Sequence, residues 1–510
     1  MGPFLLFAGL GAILLLVLCA RRIQLLRFPG PIVAKVSDSW RFNDVLNGHA
    51  HETALKLHNR LGTAVRMGPN TLSLSDPEVV KTVYSMKVPW KKSNFYSVAD
   101  IVANGNPMHN LFSSRDEEWH EHAVRPIRPL YSMTKVLELE PRFDQTINLL
   151  LQCFDQAALV CKNAPCPLDL WVGAFTLDLN SNATFGKHGD FLRQESDLRD
   201  INTNERCHLF FDASKRQFQG VASLGQMPMM DYVIGQKAFW RKTKEMPDDP
   251  LPRLVAPAVR GRQMEKPTEM DDDQPPDLLS RFIGLMSTHP QVVYPSMVFG
   301  YSMSQLVAGS DTTASAILST VYHTLKHPQV KEKLQVELCA ADLSTPAQWY
   351  QVRNLKYLNA VISEAMRMTP GVGLVLERVV PAGGFTLPDG RYVPAGTIVG
   401  MNPWVLSRTK AVYGEDADHF NPERWLQREG ESTERFKERE RRMRDSDLGF
   451  GHGPRSCIGK SFALLVVHKL IATLFSVYDM ELLDPDKEWK IQCWWFVYVS
   501  DVNVTLQRRK

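Results

Sequence analysis

The stretch FGHGPRSCIGK (450–460) sets one cysteine, Cys457, among Gly451, Gly453 and Gly459, with Arg455 two residues before it. The apolar run KSFALLVVHKLIATLF that follows predicts a helix whose N-terminus lies beside the thiol, a position that favours thiolate. Glycines at these positions would let the backbone approach a large flat ligand closely. A thiolate with no second protein ligand nearby suits the axial position of haem iron. Arg455 could then pair with an acidic edge of the ligand. A buried structural cysteine in a turn accounts for fewer of these constraints.

Two further groupings carry ionisable chemistry. In SMVFGYSMSQLVAGSDTTASAILSTVYHTL (296–325) the apolar pattern is helical and nearly continuous, so the helix should be buried. Its middle nevertheless holds Ala308-Gly309-Ser310-Asp311-Thr312-Thr313, and a buried Asp-Thr pair must find partners. Ala308 and Thr312 share a face beside the glycine. That places a kink with a groove there, with Thr312 and Asp311 as a proton route; the bland alternative is a hydroxyl bonded back to a helix carbonyl. Glu364 and Arg367, three apart among apolar residues, form a second grouping, and Arg424 in Phe420-Asn421-Pro422-Glu423-Arg424-Trp425 could complete a three-membered ionic lock.

Several chemistries are excluded. From Gly451 and Gly453 a dinucleotide fingerprint fails at Ser456, and Trp119-His120-Glu121-His122 lacks the second histidine of a zinc-peptidase helix, since Val124 stands there. No P-loop or Gly-x-Ser-x-Gly occurs. The net charge of +3 gives no basis for nucleic-acid binding. Eight cysteines without any C-x-x-C speak for free thiols in a reducing compartment.

The elements that must hold these groups read as follows. Residues 3–20 carry no charge and Arg21, Arg22 and Arg27 follow, so 1–27 is expected to be a membrane anchor with the remaining chain in the cytosol. Residues 28–40 read as a Pro-rich linker and 41–510 as one catalytic domain, mainly α with a minor β-sheet. Residues 61–77 and 383–400 alternate like hairpins, 245–277 reads as an exposed loop, and ERFKERERRMRD (434–445) as a solvated helix or a basic docking surface.

Together these motifs resemble the cytochrome P450 family. F-x-x-G-x-R-x-C-x-G is complete at Phe450, Gly453, Arg455, Cys457 and Gly459, and the A-G-x-D-T-T, E-x-x-R and P-E-R segments stand in the family's order. Residues 131–141 and 376–390 are similar to fungal pisatin-demethylase-like monooxygenases. The resemblance implies haem b ligated by Cys457, with Phe450 near the sulfur and Ala308 and Gly309 shaping an oxygen groove. It implies Thr312 and Asp311 as proton donors, a structural lock of Glu364, Arg367 and Arg424, and Arg378 and Arg455 on the haem propionates. The family's W-x-x-x-R begins at Trp119 but meets Ala123, so Arg125 or Arg128 is expected to take over that contact. Electrons would come from NADPH through a reductase, with cytochrome b5 as a possible second donor, in a monomer on the endoplasmic reticulum membrane. The substrate would be a hydrophobic small molecule met by Phe210, Phe211, Phe218, Met227, Met229, Leu374, Trp495 and Phe496. Hydroxylation is the expected outcome; O-dealkylation, desaturation, ring expansion or coupling are alternatives, and a non-catalytic haem sensor or carrier is the reading from another class.

Overall fold

The computed structural model describes residues 23–103, 106–160, 165–193, 205–235, 237, 250–264 and 275–509. The anchor expected at 1–27 therefore lies outside the described residues up to position 22. Eight helices position the site: α1 (Ser39–Leu46), α2 (Glu117–Val124), α3 (Glu140–Val160), α4 (Leu168–Phe185), α5 (Glu205–Gln226), α6 (Pro295–Lys326), α7 (Lys356–Met368) and α8 (Lys460–Val477). Helix α6 is the axis of the molecule, packed by α4, α7 and α8. Its apolar residues Leu306, Ile317, Leu318 and Val321 are buried in one core with Phe175 of α4, Val361 of α7 and Leu470 of α8. Helix α8 is long and apolar enough to cross a membrane, but most of it is buried within this core.

The sheets are small. In the largest, β1 (Ala64–Gly68) and β2 (Thr71–Leu74) form the expected hairpin, and β2 runs parallel to β4 (Ile398–Met401), which pairs antiparallel with β3 (Arg378–Val379). Near the C-terminus, β5 (Tyr478–Leu482) pairs with β8 (Asn503–Arg508), while β6 (Lys490–Trp494) and β7 (Phe496–Ser500) close a hairpin whose single tip residue is Trp495. Phe385–Thr386 and Tyr392–Val393 pair around the turn expected at 388–390.

One expectation changes. The stretch 245–277 is not simply a loop, because Pro250–Met264 is helical: Pro250 and Pro252 fall in its first turn, where a missing N–H costs nothing, and Val255 and Val259 supply a buried face. The expected linker packs on the domain at its start: Phe28, with Leu25 before it, is fully buried in the core of the larger sheet, and Arg66 N–H donates to the Pro29 carbonyl at 2.7 Å. Helix α6 runs unbroken through Gly309.

Glu364, Arg367 and Arg424 are brought together without water. Arg367 Nη2 and Nε donate to the two Glu364 oxygens at 2.7 and 2.8 Å, and Arg424 Nε reaches Oε1 at 3.2 Å. Trp425 Nε1 and the Asn421 N–H add donors at 2.8 and 2.9 Å, while Arg367 spends its remaining N–H groups on the carbonyls of Ser407, Ala417 and His419. Removing one partner of such a buried group strands the others. Glu364→Ala should cost about 3–5 kcal/mol, read as a lower chaotrope midpoint; an unchanged midpoint would show that the cluster is dispensable.

Candidate active site around Cys457

The cysteine loop is held by its own backbone. Cys457 N–H donates to the Phe450 carbonyl at 2.8 Å, and Gly451 and Gly453 have φ of 67° and 71°, a region that favours glycine. A Cβ on Gly453 would meet the Tyr84 carbonyl oxygen at 2.2 Å. The structure thus gives these two glycines a different reason from the expected one: they close the turn and admit the Tyr84 backbone. Tyr84 continues the link, accepting from Met401 N–H at 2.8 Å and donating to the Leu376 carbonyl at 2.9 Å. The cysteine loop is therefore bolted to the sheet that carries Arg378.

Gly459 caps α8 and turns its N–H toward the Cys457 sulfur. Burial nevertheless pushes the Cys457 thiol up, with the Gly459 N–H and Lys460 opposing. The helix terminus alone does not make the thiolate; a bound cation would, since a coordinating thiol is deprotonated outright. Cys457 retains accessible surface although protein crowds it, so that surface opens inward. On α6, Ala308 is likewise exposed between buried Leu306 and Ser310. A buried bridge joins the two regions: Tyr131, close enough to Cys457 to feel its charge, donates to Gln305 Oε1 at 2.8 Å, one turn before Ala308.

At the centre of α6 the Thr312 hydroxyl donates to the Ala308 carbonyl at 2.6 Å, the bland alternative of the sequence reading. Its side chain also lies against Gly371, whose Cβ would stand 3.7 Å from the Thr312 Cβ. Gly309 serves packing: a Cβ there would come within 2.4 Å of Asn180 Oδ1, which accepts from Gln305 Nε2 at 2.8 Å. Asp311 Oδ2 accepts from Ser214 Oγ at 2.5 Å and from Tyr498 OH at 3.1 Å. Burial raises this carboxyl above its ordinary value, with the two hydroxyls and Lys215 opposing.

Beside the cysteine loop the chain gathers cations. Lys92 forms an antiparallel bridge with Arg378, and both are buried. Arg455 grips Glu117 of α2 through Nε at 2.8 Å and Nη2 at 3.0 Å. Burial drives Lys92 well below its ordinary value, helped by Arg378 and Arg455. It drives His120 down to about 3, helped by Arg455, Lys92 and Arg378. Glu377, next to Arg378, is already engaged by Arg41 at 2.9 Å and by Ser93.

Among the described residues Glu117 is the one carboxylate ion-paired with Lys92, Arg378 or Arg455, so Arg378 has no acid of its own and Lys92, whose charge burial disfavours, would be charged only beside an added anion. The two carboxylates of haem meet that demand, and one inward-facing sulfur meets its iron, so these residues fit the group. Arg125 does not join them. The buried face of α2 runs through His120, Ala123 and Val124 to Ile127, which turns Arg125 outward and leaves Arg128 at the surface, paired with Glu121 at 2.8 Å. Lys92, missed in the sequence, and His120, expected there as an exposed or capping histidine, are instead buried on this side; Lys92 lies far upstream, and its backbone pairing with Arg378 betrays it.

The apolar wall is also redrawn. Phe218, Leu374, Trp495 and Phe496 share a core with Phe95 and Tyr96, with Phe112, Val307 and Val372 against it. Trp495, held at φ 83°, stacks on Phe95 at 5.3 Å and meets Phe112 edge-on at 5.0 Å. Phe210 instead packs on Phe191 and Phe211 against Gly173 of α4, while Met229, beyond the end of α5, is 77% exposed.

Comparison with known proteins adds an independent line. The family model described as cytochrome P450 matches residues 41–507. Cytochrome P450 monooxygenase cfoH of Aspergillus candidus is 33% identical over 94% of this chain and 88% of its own length. Cytochrome P450 monooxygenase cicH of Emericella nidulans is 34% identical over 96% of this chain and 95% of its own. Cytochrome P450 monooxygenase mpaDE of Penicillium roqueforti is 34% identical over 96% of this chain but only 56% of its own length.

Removing Lys92 should be felt in haem retention. Lys92→Met is expected to lower haem content and speed haem transfer to apomyoglobin, while Arg125→Ala leaves both unchanged. The opposite pattern would restore the arginine to the site.

Proposed function

The chain belongs to the cytochrome P450 family, and from that premise we propose that it hydroxylates a hydrophobic small molecule in fungal specialised-metabolite biosynthesis. The observation that carries this reading is the aromatic cluster of Phe95, Phe112, Phe218, Trp495 and Phe496, against which Val307 of α6 packs, one residue before Ala308. Such a lining selects apolar ligands by burial. The fungal monooxygenases it resembles support the biological setting.

In this reading Cys457 Sγ, approached by the Gly459 N–H, would ligate the haem iron, and Arg378, Arg455 and Lys92 would hold the haem carboxylates. Haem, when bound, supplies the centre at which dioxygen is reduced and cleaved. The chain's own groups manage protons and water. Thr312 Oγ1, bonded to the Ala308 carbonyl, can rotate to donate a proton, and Asp311 resupplies it. One oxygen atom enters the substrate, the other leaves as water, and two electrons and two protons balance the reaction.

The electrons come from NADPH through a membrane-bound reductase, with cytochrome b5 as an auxiliary donor. The basic helix Thr433–Ser446 makes a weak dock: Arg441 is paired with Glu438, Arg444 with Glu440 and Arg439 with Glu431. An endoplasmic reticulum location on a single N-terminal anchor completes the proposal. It is supported by the uncharged run 3–20 and by Ile32, Val36, Met229 and Ile234, all largely exposed.

Three measurements test this reading. The reduced protein with carbon monoxide should show the thiolate-type Soret shift, and Cys457→Ser should abolish it; retention of shift and turnover in that variant would refute the ligand assignment. Apolar compounds screened by Soret shift should yield a binder that is hydroxylated. With it, Thr312→Ala should release several-fold more hydrogen peroxide per NADPH consumed, and unchanged peroxide would remove Thr312 from proton delivery.

A further inference from the structure

Asp311 is gripped from outside its own helix. Its Oδ2 takes both hydroxyl hydrogen bonds, from Ser214 of α5 and Tyr498 of β7. Oδ1 takes none among the described residues and is not sealed off. The two donors belong to the segments that build the apolar wall. Ser214 and Phe218 are four apart on α5, and Phe496 and Tyr498 are two apart on β7, so each hydroxyl shares a face with an aromatic ring. The rings meet at 4.5 Å between centroids. An aromatic pair and a hydroxyl pair thus join α5 to the hairpin in successive layers, and the carboxyl of Asp311 is inserted into the second.

We propose that Ser214 and Tyr498 are positioning residues that clamp Asp311 by one oxygen, so that the substrate-facing wall and the proton supply move as a unit. This rests on the reading of Asp311 as proton donor given above. A ligand that separates α5 from the hairpin loosens the clamp, and one that draws them together tightens it. The clamp holds Oδ2 on the two hydroxyls, which keep their own protons, and leaves Oδ1 as the oxygen that passes a proton on and takes one up again from solvent water, so that the carboxyl is unchanged.

Three groups face the carboxyl: Ser214 and Lys215 from α5, and Tyr498 from β7, with Cys493 of β6 behind the phenol. Burial raises Asp311, whereas both hydroxyls favour its ionised form. Deleting either hydroxyl therefore moves its titration to higher pH.

The test is an infrared titration of the purified holoenzyme, with the Asp311 carboxyl band assigned by Asp311→Asn. Tyr498→Phe and Ser214→Ala should each shift the band's midpoint upward, the double variant should shift it furthest, and Ser214→Thr should restore it. The pH profile of peroxide release with the screened binder should move in the same direction. Parent-like titration in both single variants would overturn the clamp. If instead Asp311→Asn leaves peroxide release unchanged, the proton-donor reading falls, and the clamp is judged on the infrared shift alone.

Discussion

A fully buried carboxylate, Glu364, fixes much of what surrounds it. No water reaches it, so its charge is met by Arg367, Arg424, Trp425 and a backbone N–H. Those donors lie on α7 and on the segment 421–425, which leads toward the cysteine loop. Arg367 in turn collects three carbonyls from residues 407–419. A stretch almost without regular structure thus acquires one conformation, because any other would strand a buried charge.

The same logic, with the sign reversed, shapes the other side of the site. Lys92, Arg378 and Arg455 are crowded together with too few acids. Where Glu364 is over-satisfied by its own chain, these cations are under-satisfied by theirs. Internal charge that is balanced builds structure; internal charge left over specifies a ligand. In the function proposed here the acidic edge of haem would meet that surplus, and the sulfur of Cys457 would add the second point of attachment.

The legible part of the site was local. Cys457, the buried helix with Asp311 and Thr312, and the Glu364–Arg367 spacing each announce themselves within a dozen residues, because helix period and turn chemistry are short-range properties. The corrections all concern orientation or long-range partners. Arg125 read as a candidate by type and proximity, but the face of α2 turned it outward. Gly309 read as a weakness in the helix, and it proved to be the space into which Asn180 fits. Pro250 and Pro252 read as breakers, although a first turn tolerates them.

The sequence by itself therefore determined the family and the candidates, one sulfur, one acid–alcohol pair and one ionic lock, since each depends on residue type at fixed spacing, and the lock is the one whose contacts the structure closes. Only the tertiary structure decided which residues complete those groups. Lys92 comes to Arg378 through a strand bridge, Tyr498 to Asp311 through a hairpin, and Tyr84 to the cysteine loop through a glycine with no Cβ to bar it. These partners are 187 to 369 positions apart in the chain, from Asp311–Tyr498 to Tyr84–Gly453. No periodicity spans such distances; burial decides them, by forcing every polar group removed from water to find what the packed chain puts within reach.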